Sequence, residues 1–241
     1  MNKRILFLIG SPKPKAESAS VSIEARFIKC FRKKSFDLKR INLAQAVTTE
    51  VDKNILLAAV DNSDILVLIS PVYLDTAPSF VIKAMEFLNK KKHLINTPKK
   101  MLAISICGYP EAFHNDTVLR VYKRFADDMG FIWIGGLAIG EGPAYVYGRQ
   151  IFSAIGMYHW LKKSIALIAH ALVEGKTVPE EAIELMKISV IPNWLYTQVG
   201  ILCVKILALK NGVWNLYNRP YALQPYRDVL KTESRTNGSG K

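Results

Sequence analysis

Cysteine is scarce in this chain, which has three cysteines in 241 residues. Cys30, Cys107 and Cys203 are far apart, and no two of them form a CxxC pair. A zinc site or an iron–sulfur cluster therefore has no local support. An odd number of isolated cysteines also does not indicate a disulfide framework, which fits a reducing compartment. The sequence accordingly predicts no metal site and a cytoplasmic protein.

Several features that would define other classes of protein are missing. No GxGxxG turn is present for the pyrophosphate of a dinucleotide, and no Ser-His-Asp grouping indicates hydrolysis. The apolar run at residues 5–9 is too short for a signal-peptide core and predicts a strand instead. The apolar stretch at residues 194–209 is too short and too interrupted to predict a transmembrane helix.

Acidic residues are few relative to basic ones, since 20 Asp and Glu face 33 Lys and Arg, for a formal net charge of +13. Such a charge favours an anionic partner: nucleic acid, a phospholipid surface or a phosphorylated small molecule. The lysines are dispersed, and the basic runs at residues 32–34, 90–92 and 99–100 fall where we expect helices to end. Cations there complement the helix dipole. We therefore predict no nucleic-acid partner.

Short apolar runs alternate with amphipathic helical patterns over the first two-thirds of the chain. The apolar runs predict strands at residues 4–9, 36–41, 65–70, 100–106 and 131–139. Helical periodicity appears at residues 21–31, 81–88 and 118–129, and Gly130 should end the last of these helices. This alternation predicts an α/β domain at residues 1–148, with a doubly wound five-stranded parallel sheet. Its ligand should lie at the carboxyl ends of the strands.

The alternation of strand and helix patterns stops after this domain, and residues 149–231 predict a C-terminal helical extension. A long helix is expected at residues 151–172, ended by Gly175. Thr177 and Glu180 have the spacing of a capping box that opens another helix. The polar residues 232–241, which contain Gly and Ser, predict a disordered tail.

The loop after the first strand leads directly into a helix and carries serines and lysines. Backbone amides and hydroxyls at a helix N-terminus form an anion site. Ser18 and Ser20 could each donate to phosphate oxygens, Ser11 would close the loop, and Lys13 or Lys15 would add charge. The alternative is that one serine only caps the helix. The loop lacks the Gly-Lys-Ser/Thr ending of a Walker A loop.

The loop after the third strand, residues 71–78, places Tyr73 and Leu74 at the carboxyl edge of the sheet. An aromatic and an aliphatic side chain there could line one side of a planar ring, although ordinary loop packing explains them equally well. The loop after the fifth strand, residues 140–143, has two glycines in four residues. This composition predicts a tight loop close to a ligand or to a partner chain.

The loop after the fourth strand, residues 107–115, contains Gly108, which would allow a ligand to approach the backbone. His114 is a candidate proton donor because its charge changes near neutral pH, although a lone histidine beside a helix start is more often structural. Cys107 is better explained as a small loop residue than as a nucleophile.

Three of these segments occur in register at successive strand ends: Gly10-Ser11-Pro12-Lys13 with its serines, residues 70–78, and residues 107–112. Together they resemble the flavodoxin-like NAD(P)H-dependent FMN reductase family, and especially its longer bacterial members. The resemblance covers residues 1 to about 145, and Asn218-Arg219-Pro220-Tyr221 also resembles those longer members. Lys13 stands where the family commonly has arginine, and it supplies charge without a bidentate fork.

The resemblance implies a flavodoxin-like fold and an oxidoreductase that passes electrons from NAD(P)H through FMN to a small acceptor, such as a quinone, a flavin or a nitro compound. It places the FMN phosphate in the first loop and the ring between residues 71–76 and 107–111, often at a homodimer interface. The implied cofactor-binding residues are Ser11, Lys13, Ser18, Ala19, Ser20, Pro71, Val72, Tyr73, Leu74, Asp75, Cys107, Gly108, Tyr109 and Glu111. No catalytic acid or base is implied, because the cofactor carries the chemistry.

Two other functions remain open. One is a non-catalytic flavodoxin-type electron carrier, although such carriers are usually shorter and acidic. The other is a flavoprotein at the membrane surface, because residues 187–241 carry eight Lys and Arg against two Asp and Glu. A helix at residues 194–209 would have little polar face and would need to be covered by its own domain, a second subunit or lipid. The resemblance favours burial of this helix near a dimer interface, and a peripheral contact of the helix with a membrane is the alternative.

Overall fold

A computed structural model describes residues 3–31, 36–96, 98–146, 156 and 158–216. The strands are β1 (Arg4–Ile9), β2 (Asp37–Asn42), β3 (Ile65–Pro71), β4 (Lys100–Ile106) and β5 (Ile132–Ile139). The α-helices of these residues are α1 (Ala19–Phe31), α2 (Leu43–Ala46), α3 (Glu50–Asp61), α4 (Ser79–Lys90), α5 (Asp116–Met129), α6 (His159–Glu174), α7 (Glu180–Lys187) and α8 (Asn193–Lys210). Short 3₁₀ turns occur at Lys15–Glu17, Lys92–Leu94, Ala112–Asn115 and Gly142–Tyr145.

The five strands form one sheet in the order β2-β1-β3-β4-β5, and every neighbouring pair is parallel. This is the strand order of the flavodoxin-like doubly wound fold, in which ligands bind at the carboxyl edge. The predicted fold class is therefore confirmed. The predicted strand positions agree with the observed strands to within one residue at each end.

Both faces of the sheet are covered, which explains why its central strands are apolar without alternation. Leu6 and Leu8 of β1 belong to a core that includes Leu56 of α3 and Val81 of α4. Odd-numbered residues of β1 point to the opposite face of the sheet, where the Phe7 ring lies 6.2 Å from the Phe31 ring of α1. Burying one such side chain stabilises the fold by about 1.5–3 kcal/mol before entropic costs.

Several lysines are used to satisfy carbonyls at helix ends. Lys3 Nζ donates to the carbonyls of Leu172 (2.7 Å) and Val173 (2.8 Å), near the end of α6. Lys99 Nζ is buried and donates to the carbonyl of Asp61 (2.6 Å), the last residue of α3. The run at residues 99–100 thus leads into β4 instead of ending a helix, but Lys99 caps a helix that is distant in sequence. Part of the positive charge is therefore structural.

Four helix starts differ from the sequence-based expectation. Helices α2 and α3 were not predicted, and Thr49 caps α3 by accepting from the Asp52 amide (3.1 Å). Helix α6 begins at His159, whereas the sequence predicted a helix from residue 151. The capping box predicted at Thr177 is wrong, because Pro179 occupies the N-cap of α7 and no side chain caps that helix. Gly130 and Gly175 end α5 and α6 as predicted, each in the left-handed conformation.

The chain forms two compact units, Met1–Asn193 and Trp194–Lys241. Helices α6 and α7 belong to the first unit, where α6 contacts α1 and α7 contacts β5. The predicted division near residue 148 and the tail at residues 232–241 stay predictions, since residues 147–155 and 217–241 lie outside the described residues. Among the helices of the described residues, none combines the length and apolarity needed to cross a membrane.

Candidate functional site

A cleft of about 230 Å³ opens at the carboxyl edge of the sheet, where the loops after β1, β3, β4 and β5 meet. Its lining residues are Ser11, Lys13, Glu17, Ala19, Ser20, Pro71, Val72, Tyr73, Ile106, Cys107, Gly108, Gly142, Pro143 and Val146. The topology explains the position, because parallel strands in register end at the same edge.

Nine of the fourteen residues predicted to bind a cofactor line this cleft. They are Ser11, Lys13, Ala19, Ser20, Pro71, Val72, Tyr73, Cys107 and Gly108. The five that do not line it are Ser18, Leu74, Asp75, Tyr109 and Glu111. Glu17, Ile106 and Val146 carried no signal in the sequence. Gly142 and Pro143 belong to the loop after β5, in which two glycines predicted a tight loop close to a ligand or to a partner chain.

The first wall is the N-terminus of α1, where two serines have different roles. Ser18 Oγ donates to Ser11 Oγ (2.9 Å) and accepts from the Val21 amide (3.3 Å), so this hydroxyl caps the helix. Ser20 Oγ is buried and has no hydrogen-bond partner among the described residues. It lies in the first turn, where backbone amides lack intrahelical acceptors. Lys13 is exposed on the same wall and adds positive charge.

The second wall ends in a tight turn. The backbones of Tyr73 and Thr76 exchange hydrogen bonds of 2.9 and 3.2 Å, and Leu74 and Asp75 between them have φ of 49° and 61°. Two successive residues with positive φ define a type I′ turn, which is costly for side chains other than glycine. The turn leaves Leu74 99% exposed at its tip. Tyr73 remains in the cleft wall, and partial burial raises the pKa of its hydroxyl.

The third wall contains Cys107 and Gly108. Cys107 Sγ is buried and donates to the carbonyls of Tyr109 (3.4 Å) and Glu111 (3.5 Å). Burial raises the pKa of this thiol, so it stays protonated and is a poor nucleophile. Gly108 does not have a positive φ, and a Cβ placed there would meet no protein atom within 4 Å. The protein itself therefore does not require glycine at this position.

An exposed group of rings lies beside the third wall. The His114 ring is 4.6 Å from the Tyr109 ring and 4.4 Å from the Phe113 ring. Tyr109 and Phe113 are both exposed. His114 does not line the cleft, so the geometry gives no support to its use as a proton donor there.

Behind the cleft, Glu141 is a fully buried carboxylate with a left-handed backbone (φ 55°). Its carboxylate accepts from the amide of Val190 and from that of Ile191 (3.3 Å), and its own amide donates to the Tyr109 carbonyl (2.7 Å). The preceding Gly140 packs so closely that a Cβ would lie 2.2 Å from the Pro110 carbonyl oxygen. Sequence reasoning missed Glu141, because its partners are about fifty residues away.

Two further contacts hold the segment 188–193 against the same loops. Ser189 Oγ donates to the Pro110 carbonyl (3.3 Å), and Asn193 Nδ2 donates to Glu111 Oε1 (3.1 Å). Glu111, which does not line the cleft, thus helps to fix this segment. Within the described residues, no group of three His, Cys, Asp or Glu side chains could hold a metal ion.

The strand order defines a flavodoxin-like α/β protein, and the cleft lies at the carboxyl edge of its sheet. Solved structures similar to this chain include an azoreductase from Bacillus anthracis str. Sterne (14% identity, 69% of this chain and 98% of that chain covered, TM-score 0.47). Others are an FMN-dependent NADH-azoreductase from Bacillus anthracis str. Ames Ancestor in complex with FMN (12%, 71% and 100%, 0.44) and the Trp repressor binding protein from Bacillus subtilis (11%, 59% and 95%, 0.45).

All three likenesses have TM-scores below 0.5, so the fold assignment rests on the strand order described above. No protein-family model matches the sequence, and no curated protein matches it significantly.

The Glu141 carboxylate should stabilise the fold through its two amide partners. Glu141→Ala leaves the amides of Val190 and Ile191 without an acceptor, which should lower the free energy of unfolding by about 1–3 kcal/mol. Urea denaturation measures this change. Glu111→Ala is the matched control, because it also removes a glutamate that contacts the segment, but an exposed one. Equal effects of the two substitutions would contradict a special role for the buried carboxylate.

Glu141→Gln should reveal how the charge of this carboxylate affects stability. Burial raises the pKa of the Glu141 carboxyl above its ordinary value of 4.5, so the folded protein binds this proton at a higher pH than the unfolded chain. The wild-type free energy of unfolding should therefore rise, relative to that of Glu141→Gln, as the pH falls through the folded pKa towards 4.5. A difference that does not change with pH would show that the pKa is not raised.

Proposed function

We propose that the protein is an FMN-dependent oxidoreductase that takes electrons from NAD(P)H and passes them to a small acceptor, such as a quinone, a flavin or a nitro compound. The observation that carries this proposal is the buried hydroxyl of Ser20, which has no hydrogen-bond partner in the part of the chain that the structure describes and lies in the first turn of α1 at the wall of the cleft. A cytoplasmic homodimer is part of the proposal and rests on the family resemblance of the sequence.

The first wall fits a single phosphate group. A helix N-terminus with free amides favours an anion, and Ser20 Oγ needs a hydrogen-bond partner that the described chain does not supply. Lys13 adds a cation without the geometry of a bidentate clamp. FMN has one phosphate, whereas a dinucleotide has a pyrophosphate that needs the GxGxxG turn this chain lacks.

The other walls fit the edge of a planar ring. Pro71, Val72 and Tyr73 supply apolar surface on one side, and on the other a Cβ at Gly108 would meet no protein atom within 4 Å. Bound FMN would supply the two-electron redox chemistry. The residues of the chain bind and orient it, and neither a thiolate nor a histidine is required, since Cys107 stays protonated and His114 lies outside the cleft.

The direct test is the visible absorption spectrum of the purified full-length chain after incubation with FMN and removal of free flavin. We expect a yellow protein that oxidises NADH or NADPH in the presence of a quinone. A protein that binds FMN but oxidises neither nucleotide would favour the electron carrier instead. A colourless protein that cannot be reconstituted would remove the proposal.

Ser20→Ala should separate phosphate binding from ring binding. We expect this substitution to lower the affinity for FMN by about tenfold or more, because a hydrogen bond to a charged group is lost. The affinity for riboflavin, which has no phosphate, should be nearly unchanged. Fluorescence titration measures both affinities. Ser22→Ala is the matched control, since Ser22 Oγ is also buried and unpartnered among the described residues but does not line the cleft. If Ser20→Ala lowered the affinities for FMN and riboflavin equally, the assignment of Ser20 to the phosphate would be wrong.

Ser18→Ala should behave differently from Ser20→Ala. Because the Ser18 hydroxyl caps α1, its loss should lower the free energy of unfolding by about 0.5–2 kcal/mol. The FMN affinity of the folded fraction of Ser18→Ala should change less than that of Ser20→Ala. The comparison therefore tests whether the two serines divide capping and phosphate binding between them.

Gly108→Val tests the contact between the third wall and the ring. A side chain there meets no protein atom within 4 Å and needs no left-handed backbone, so we expect a folded protein with stability within about 0.5 kcal/mol of the wild type. The added isopropyl group should nevertheless obstruct the ring and lower the FMN content of the purified protein. Gly108→Ala should give a smaller loss, and full FMN content in both variants would show that this wall does not touch the cofactor.

A further inference from the structure

The large apolar side chains of helix α8 are exposed to solvent. Eight of them, from Trp194 to Leu209, are 45–69% exposed, and no residue of the helix is buried. Beyond the helix, Trp214 is 84% exposed. An apolar surface of this extent on a protein marks a site of interaction with a partner or a membrane.

The apolar side chains surround the whole helix. At about 100° per residue, Leu202, Leu207 and Val204 point in directions roughly 80°, 220° and 280° from Trp194. A partner helix from a second copy would cover one stripe of this surface and leave the rest exposed. Lipid covers several sides of a helix at once, so the distribution favours a membrane over a second copy.

The charge of the second unit points to the same partner. Residues 193–216 contain no Asp or Glu, and residues 194–241 carry seven Lys and Arg against two Asp and Glu, a net charge of +5. Two copies of this unit would repel each other, whereas anionic headgroups attract its basic residues.

Helix α8 does not combine the length and apolarity needed to cross a membrane, so we consider a contact at the membrane surface. Its 18 residues span about 27 Å, less than the roughly 30 Å of the hydrocarbon core, and Lys205 lies within it. Long lysine side chains can extend from an apolar layer to the headgroups, and tryptophan prefers that boundary. Lys205, Lys210, Trp194 and Trp214 are suited to these positions.

From these observations we infer that α8 binds the protein peripherally to anionic phospholipid surfaces, with the helix embedded in the interface. This inference does not depend on the cofactor, because every residue that carries it lies outside the cleft.

Co-sedimentation of the full-length chain with vesicles tests the inference. We expect pelleting with phosphatidylcholine vesicles that contain phosphatidylglycerol, much less with phosphatidylcholine alone, and partial release at high salt. Leu207→Glu should reduce the partition coefficient by at least about tenfold, since it places a carboxylate in the apolar layer. Lys205→Glu should reduce binding to the anionic vesicles and leave the weak binding to pure phosphatidylcholine vesicles unchanged.

Val51→Glu is the matched control, because Val51 is similarly exposed on a helix (69%, against 62% for Leu207) but lies on α3. Equal losses in Val51→Glu and Leu207→Glu would overturn the inference, since the effect would then follow net charge and not the helix. A chain that ignores anionic vesicles would also overturn it. If such a chain were a dimer that Leu207→Glu converts to monomer in light scattering, a second copy would be the partner of α8.

Discussion

In-register parallel pairing of β1, β3 and β4 is the constraint on which the site depends. Ile9 pairs with Ile69, and Ile69 pairs with Ile104, so these strands reach the same edge together. The chain must then leave the sheet three times within a small area, and each exit forms one wall of the cleft. The apolar strands are fixed by helices on both faces, so the positions of the walls are set by the core and not by the loops.

The same reasoning explains what the sequence could predict. Continuous apolar strands and amphipathic helices are local patterns, and they were sufficient to predict the sheet. The fourteen candidate cofactor-binding residues came from the family resemblance, and nine of them line the cleft. The division of roles between Ser18 and Ser20 was not predictable, because both serines suit an anion site. Only the observed capping of the Val21 amide shows that Ser18 is already used.

Features that depend on distant contacts escaped prediction for a different reason. Leu74 was expected to line a planar ring, but the type I′ turn directs the chain away from the cleft, and no glycine signalled that turn. Glu141 lies between two glycines in the sequence and carried no signal of its own, since its amide partners come from residues 190 and 191. A buried carboxylate with distant partners has no local pattern in the sequence.

The contacts of residues 188–193 hold this segment to the loops that follow β4 and β5. The Asn193 side chain donates to Glu111, and the Glu141 carboxylate accepts from the backbone amides of residues 190 and 191. Both loops also supply residues to the walls of the cleft. A substitution at Glu141 therefore releases the segment and changes a loop that contributes to the cleft, so it does not test the cofactor proposal alone. Ser20 lies outside this segment, on the wall that α1 forms, so its substitution tests phosphate binding without disturbing these contacts.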